Sequence, residues 1–320
     1  RRKPLAPIRN ACSALTARTW TLEPSRPQTD LGADVVGMNR LTVRQRAEVL
    51  SLLCEGCSIA SVTRHTGAAK MTILSILRSV GYAAGLYLDR ELTGLSCRRV
   101  QADEVWSFCQ MKEKRVPDVF RGTPGLGDVW LWLAIDVASK LVITYRVGCR
   151  GSASAVAFIQ DLADRLAGRI QLSTDGHRPY VDAVASAFGG KVDYAMIAKA
   201  AIVPDSAEDS EFCAYTVFGR PDPNHINTSA IERYNLTVRM TDRRYTRKTN
   251  AFSKSIDNHI ASVALHVFYY NFVRIHSTLE TTPAVKIGLA AKPWYYEDMI
   301  ELTDRTIAAP SKPSGLVRIK

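Results

Sequence analysis

The sequence predicts an α/β protein: a mixed five-stranded sheet with flanking helices, preceded by a small all-α unit. Three observations predict it. Residues 41–81 repeat apolar side chains at helical spacing. From Val100 to Val147 the period switches to that of strands, three times running. From Ser152 onward helical and strand patterns alternate, as they do where strands join a sheet through crossovers. The composition fits a folded chain long enough for a sizeable core, with 46% of its 320 residues hydrophobic and 23% charged.

Residues 1–37 hold Pro4, Pro7, Pro24 and Pro27 without sustained periodicity, so little order is expected there. Met38 is the first methionine and the expected natural start, with 1–37 lying upstream of it. Over 38–81 three helices are expected. The first, 43–55, ends at Gly56; the second, 58–65, has Ser58 as its cap; the third covers 69–79 after the Thr66-Gly67-Ala68 turn. A longer helix followed by two short ones about a glycine turn is a helix-turn-helix pattern, with Lys70, Thr72 and Arg78 presented to DNA. A plain three-helix bundle is the bland alternative. The unit is expected to fold apart from the rest, with 82–99 as a linker.

Val100–Phe108, Val129–Ile135 and Leu141–Val147 read as strands of an antiparallel meander, the last two joined by a turn at Asp136–Lys140. A helix from Ser152 or Ser154 to Leu166 follows, then a strand at Ile170–Thr174, a helix at Tyr180–Phe188 and a strand at Lys191–Ile197. A loop leads to a helix opening near Ser229, and Ile256–Arg274 reads as an amphipathic helix. This is the order expected of an RNase H-like fold over residues 100–275, with 276–320 as a C-terminal extension.

The charge excludes little but favours one partner. There are 42 Lys and Arg against 31 Asp and Glu, a net +11, which points to a polyanion, nucleic acid before membrane. No uncharged apolar run of spanning length is read from the sequence. Seven scattered cysteines suit free thiols in a reducing compartment, and Cys54-Glu-Gly-Cys57 alone is a weak zinc signal.

Three acids carry the chemistry. Asp103 lies mid-strand in the first strand, Asp175 ends the fourth, and Glu232 opens the late helix. In an RNase H-like layout the first and fourth strands are neighbours and the helix crosses them, so the three converge. Clustered carboxylates repel unless cations sit among them, and two Mg²⁺ ions about 3.5–4 Å apart would resolve that. Strand alternation lets only one of Asp103 and Glu104 face such a site. Asp136 reads as hairpin chemistry. Ser229-Ala-Ile-Glu232 fits a capping box, so Glu232 could simply cap its helix. The stretch then turns basic, with Arg233, Arg239, Arg243, Arg244, Arg247 and Lys248 as candidate DNA contacts and Asp242 the one acid among them. Arg239 stands seven residues after Glu232, on the same helix face and roughly 10 Å along it. His177, Arg274 and His276 are further candidates for phosphate contact, each with a structural alternative.

The blocks DEVWSF (103–108), GDVWLWLAIDVASKLV (127–142), TDGHRPY (174–180), TSAIERYNLTVRM (228–240), RRYTRKTNAFSK (243–254) and YNFVRIHSTLETTPA (270–284) resemble bacterial transposases of the insertion sequence 1 family, in the long single-frame form. The resemblance implies a DDE transposase with Asp103, Asp175 and Glu232 as the metal-binding triad, two Mg²⁺ ions for which Mn²⁺ substitutes, and Arg239 as the basic residue after the glutamate. It also implies strand cleavage and strand transfer at insertion-sequence ends, transposon and target DNA as partners, a homo-oligomer on DNA, and a place in the bacterial cytoplasm at the nucleoid. Family members that open with zinc fingers differ here, where a helix-turn-helix pattern stands. Two other readings remain: a catalytically inert DNA-binding regulator or domesticated remnant, and a hydrolytic nuclease.

Overall fold

The computed structural model describes residues 41–199 and 212–308. The expected start at Met38, the segment 1–37 and the tail beyond Ala308 lie outside the described residues.

Three helices come first: α1 (Val43–Cys54), α2 (Ile59–Thr66) and α3 (Lys70–Glu91). Thr42 and Gln45 form a capping box on α1, and Ser58 caps α2 through the Ser61 amide. Gly67, at φ 71°, ends α2 in the left-handed conformation that glycine adopts at no cost. The third helix is twice as long as its pattern suggested, so 82–91 of the expected linker is helical. Gly81, just past the expected end of that helix, lies inside it, as does Gly85. The reason is packing. A Cβ at Gly81 would come within 2.5 Å of the Ala261 carbonyl oxygen, so glycine is what lets α3 lie against α7 (Ile256–Phe268). The helices therefore do not stand apart from the rest, and their apolar side chains join one continuous core. By length and composition α3 could reach across a bilayer, contrary to the sequence expectation of no such run, but half of that window is buried in the protein.

The sheet has six strands in the order β3-β2-β1-β4-β5-β6. The strands β1 (Arg99–Cys109), β2 (Gly127–Asp136) and β3 (Val142–Gly148) form the expected antiparallel meander. β4 (Ile170–Asp175) runs parallel to β1, and β5 (Val192–Lys199) parallel to β4. Between them lie α4 (Ser152–Arg165) and α5 (Pro179–Phe188). The sixth strand, β6 (Phe212–Phe218), corrects the five-strand expectation. It is an edge strand, and Ala214, Tyr215 and Thr216 are all exposed, so it lacks the alternation that marks a half-buried strand.

Helices cover both faces. α4 and α5 lie on the face carrying Trp132, whose ring meets Phe158 of α4 and Tyr180 of α5. α6 (Ser229–Thr241) crosses the other face over β1 and β2. α7, expected to be amphipathic, is buried on nearly every side from His259 to Phe268, because α3 covers the face that would have met solvent. It continues into a π turn, Tyr269–Val273, whose Asn271 exchanges two hydrogen bonds of 2.9 Å with the Val142 backbone of β3. That clamp, with Tyr270 buried beside it, favours a bracing role here over DNA contact. The chain closes with the short α8 (Pro283–Lys286) and with α9 (Tyr296–Ala308), which packs on α1 and α3.

Candidate metal centre

The β1–β4 ladder ends at the pair Ala102 and Thr174, so Asp103 and Asp175 are the next residues on two adjacent parallel strands. Register alone brings these two acids together. Glu104 joins them: each of Asp103, Glu104 and Asp175 offers a carboxylate oxygen within 4.8 Å of the others. Where only one of Asp103 and Glu104 was expected at the site, both have an oxygen in this group. Alternation does send them to opposite faces, Asp103 to Asn235 of α6 and Glu104 to the side of His177 and Tyr180. Asp175, at the end of its strand, is within reach of both.

Asp103 is held by two hydrogen bonds. The Glu104 amide donates to its Oδ1 at 2.8 Å and Asn235 Nδ2 to its Oδ2 at 2.7 Å. Burial pushes its carboxyl up to about 6, the charges of Asp175 and Glu232 add to the rise, and Arg239 opposes it. Glu104 is more extreme. Its side chain is 1% exposed and neither oxygen has a hydrogen-bond partner among the described residues. Burial pushes it up to about 8, with Asp175 adding to the rise, and Arg150 and the facing Tyr180 hydroxyl opposing it. Asp175 accepts from the His177 amide at 3.1 Å. Burial and Arg150 lower the His177 imidazole. Asp136 is occupied by the Ser139 amide and hydroxyl, as its turn pattern suggested.

Glu232 is exposed in the first turn of α6 and lies outside the tight cluster, though close enough for its charge to act on Asp103. The expected capping box is not formed. The helix begins one residue earlier than that motif requires, at Ser229 with Thr228 as its N-cap, and Thr228 donates its hydroxyl to Glu232 Oε1 at 2.6 Å without capping the backbone. The cap comes from the sheet instead. Gln101 Oε1 accepts the Ala230 and Ile231 amides at 2.8 and 3.1 Å, and its Nε2 donates to Asn227 at 2.8 Å. Gln101 and Asp103 are two apart on β1 and share a face. Gln101 to the helix start and Asp103 to Asn235 are thus two ties fixing α6, and Glu232 with it, over the acids. Sequence reasoning missed Gln101, Asn235 and Glu104; the two-residue spacing from Asp103 was the available signal for Gln101.

The basic candidates divide. Arg233, Arg243, Arg247 and Lys248 are exposed. Arg239 is half-buried; burial and the neighbouring Arg247 hold it below the usual guanidinium range, with Asp103 opposing. Arg244, expected on the DNA face, turns inward because Asp242 is buried there. Its Nη1 lies 2.7 Å from Ser262 Oγ and 3.5 Å from Asp242 Oδ1. Of the α3 candidates, Lys70 lines a groove of about 710 Å³ shared with Arg64, Arg243 and Lys254. Thr72 lies instead in a second groove beneath α9, with Ile300 and Asp304, and Arg78 is half-buried. These three are not on one face.

The carboxylate cluster suits an oxygen-preferring divalent cation: three acids converge, and the buried Glu104 oxygens meet their neighbouring charge only at a distance, 3.6 Å from Arg150 Nη2. No protein-family model matches the chain, and no curated protein matches it. Among solved structures it is similar to a piggyBac transposase synaptic complex with hairpin DNA, at 10% identity and a TM-score of 0.40, over 95% of this chain and 80% of that one. A pre-cleavage Mos1 transpososome gives 13% identity and a TM-score of 0.21, over 75% of this chain and 81% of that one. The Mos1 mariner paired end complex with Mn gives 13% and 0.19, over 73% and 80%. Scores this low carry no weight for function.

Proposed function

We propose that the chain is a DDE-type DNA transposase that cleaves and joins DNA strands at insertion-sequence ends. The observation that carries this reading is geometric convergence: adjacent parallel strands bring the carboxylate oxygens of Asp103 and Asp175 within 4.8 Å of each other, and α6, which carries Glu232 and Arg239, is tied over them by Asn235 to Asp103. The strand order, with β1 between β2 and β4 and α6 crossing it, supports an RNase H-like core. The resemblance to the insertion sequence 1 family supports the choice of transposase over nuclease.

In this reading Asp103, Asp175 and Glu232 would hold two Mg²⁺, or Mn²⁺ in their place. The cations would supply an activated water or 3′-hydroxyl and stabilise the leaving oxygen. The chain's own residues do the rest. Asn235 fixes the rotamer of Asp103, and Gln101 fixes the start of the helix that carries Glu232. Arg239 holds the phosphate next to the reacting one. Arg233, Arg243, Arg247 and Lys248 carry the flanking backbone, while α2 and α3, acting as a helix-turn-helix around Lys70, grip the end. The protein would work as a homo-oligomer on transposon and target DNA, at the nucleoid in the bacterial cytoplasm.

The test is an assay of the purified chain with Mg²⁺ or Mn²⁺ and a labelled duplex taken from the DNA flanking its gene. Nicking at the duplex end followed by joining to a second DNA is expected. Nicking without joining would point to a nuclease, and binding without either to an inert regulator.

A further inference from the structure

Glu104 is not needed by the proposed triad, yet it is the most deeply buried acid of the cluster. A carboxylate shut away from water without hydrogen bonds is an expensive arrangement, kept only where something compensates. The nearest full charge is a single guanidinium, with His177 Nε2 at 3.8 Å and the Tyr180 hydroxyl facing the acid beside it. Arg150 Nη2 lies 3.6 Å from Glu104 Oε2 and 3.7 Å from Asp175 Oδ2. Both distances are beyond hydrogen-bond reach, so Arg150 offers charge between two acids and no directed bond to either. It is not buried with them: its side chain is 40% exposed, with the guanidinium carbon 4.6 Å from the centre of the Trp130 ring. Resting on that ring, it can leave the acids without losing its own support.

We propose that Glu104 is a further ligand of the divalent-cation centre, and that Arg150 is the counter-charge that keeps its place until the cation displaces it. This rests on the metal-dependent reading above. It explains why the acid is buried with only a loosely held counter-charge, since that partner is exchangeable, and why the neighbouring cation is held by an aromatic face and not by a fork of hydrogen bonds.

The experiment is calorimetric titration of the DNA-free full chain with Mn²⁺, beside melting temperatures without metal. Glu104→Gln should weaken Mn²⁺ binding by about tenfold or more, while its metal-free melting temperature holds or rises because glutamine never carries the charge that burial disfavours. Arg150→Met, which keeps an apolar stem over Trp130, should tighten Mn²⁺ by about threefold. Wild-type affinity in Glu104→Gln, or unchanged or weaker affinity in Arg150→Met, would overturn the proposal. So would a Glu104→Gln protein that melts lower yet binds Mn²⁺ normally, since that is what a structural role gives. Asp175→Asn separates the two readings. If it leaves Mn²⁺ binding intact, the metal-dependent function itself fails. If it abolishes binding while Glu104→Gln does not, only the role of Glu104 falls.

Discussion

Two buried carboxylates, Asp242 at the C-terminal end of α6 and Glu104 on β1, pointing to the sheet face away from α6, have opposite surroundings. Asp242, at the C-terminal end, accepts from the Arg244 amide at 3.0 Å and from Ser262 Oγ at 2.7 Å, with the Arg244 guanidinium beside it. Although burial pushes its carboxyl up, Arg244 and these hydrogen bonds prevail and hold it below the usual carboxylate range. Glu104 has burial and the like charge of Asp175, only weakly opposed by Arg150 and the Tyr180 hydroxyl, and is pushed up to about 8. Equal burial gives opposite results because one site is complete and the other is not. The complete one braces α6 against α7. The incomplete one has room in its electrostatics for something else.

That contrast can be broken in four places, from the largest effect to the smallest. Asp175→Asn or Glu232→Gln should cut strand cleavage by about a thousandfold or more, roughly 4 kcal/mol of barrier, with urea unfolding unchanged or shifted toward greater stability. A clear loss of stability would make the acidic end a brace like the other. Asp242→Ala should do the reverse. It strands Arg244 in a buried site and should cost about 3 kcal/mol in urea unfolding, while cleavage per folded molecule stays near wild type. Gln101→Ala removes the sheet-borne cap of α6 and should cost about 1–2 kcal/mol. It should also slow cleavage, since it frees the turn that carries Glu232, and a cleavage rate equal to wild type would mean that this tie does not position the acid.

The smallest effect is in pH. Asp103 at about 6 and Glu104 at about 8 are raised above their ordinary 3.8 and 4.5. Their contribution to the stability of the metal-free protein is complete below those ordinary values and is lost as pH rises through about 6 and about 8. His259 and His266, buried and lowered from 6.5 to about 4, act in the opposite sense: their contribution is present above 6.5 and lost as pH falls toward 4. The interval from 6.5 to 8 therefore belongs mainly to Glu104. Melting curves there should show a loss on the order of 1 kcal/mol, absent in Glu104→Gln. An equal slope in both proteins would assign it to another group.

The parts legible in sequence were those written in periodicity. The meander and the alternation of helices and strands follow from spacing, and the RNase H-like layout that this order suggested supplied the pairing of the first and fourth strands, and with it the approach of Asp103 to Asp175. What escaped depends on contacts between distant segments. Gly81 reads as a stop, and only the presence of Ala261 makes it a packing residue. A serine before Ile231 and Glu232 reads as a cap, yet a glutamine 130 positions before Ile231 does the capping. Arg244 reads as one of a basic run until buried Asp242 claims it. Glu104 reads as facing away because strand alternation is a rule about faces, and Asp175 sits where a strand, and so its faces, ends.

The contact at Gly81 has a geometric consequence. With no side chain between them, α3 and α7 meet backbone to backbone, and such a joint has little slack. If α2 and α3 grip a DNA end as proposed, the distance from grip to acids is fixed like the span of a calliper, and the protein counts nucleotides by its own rigidity. A larger side chain at position 81 would act as a shim, and where the protein still folds, the cut would fall at a different phosphate.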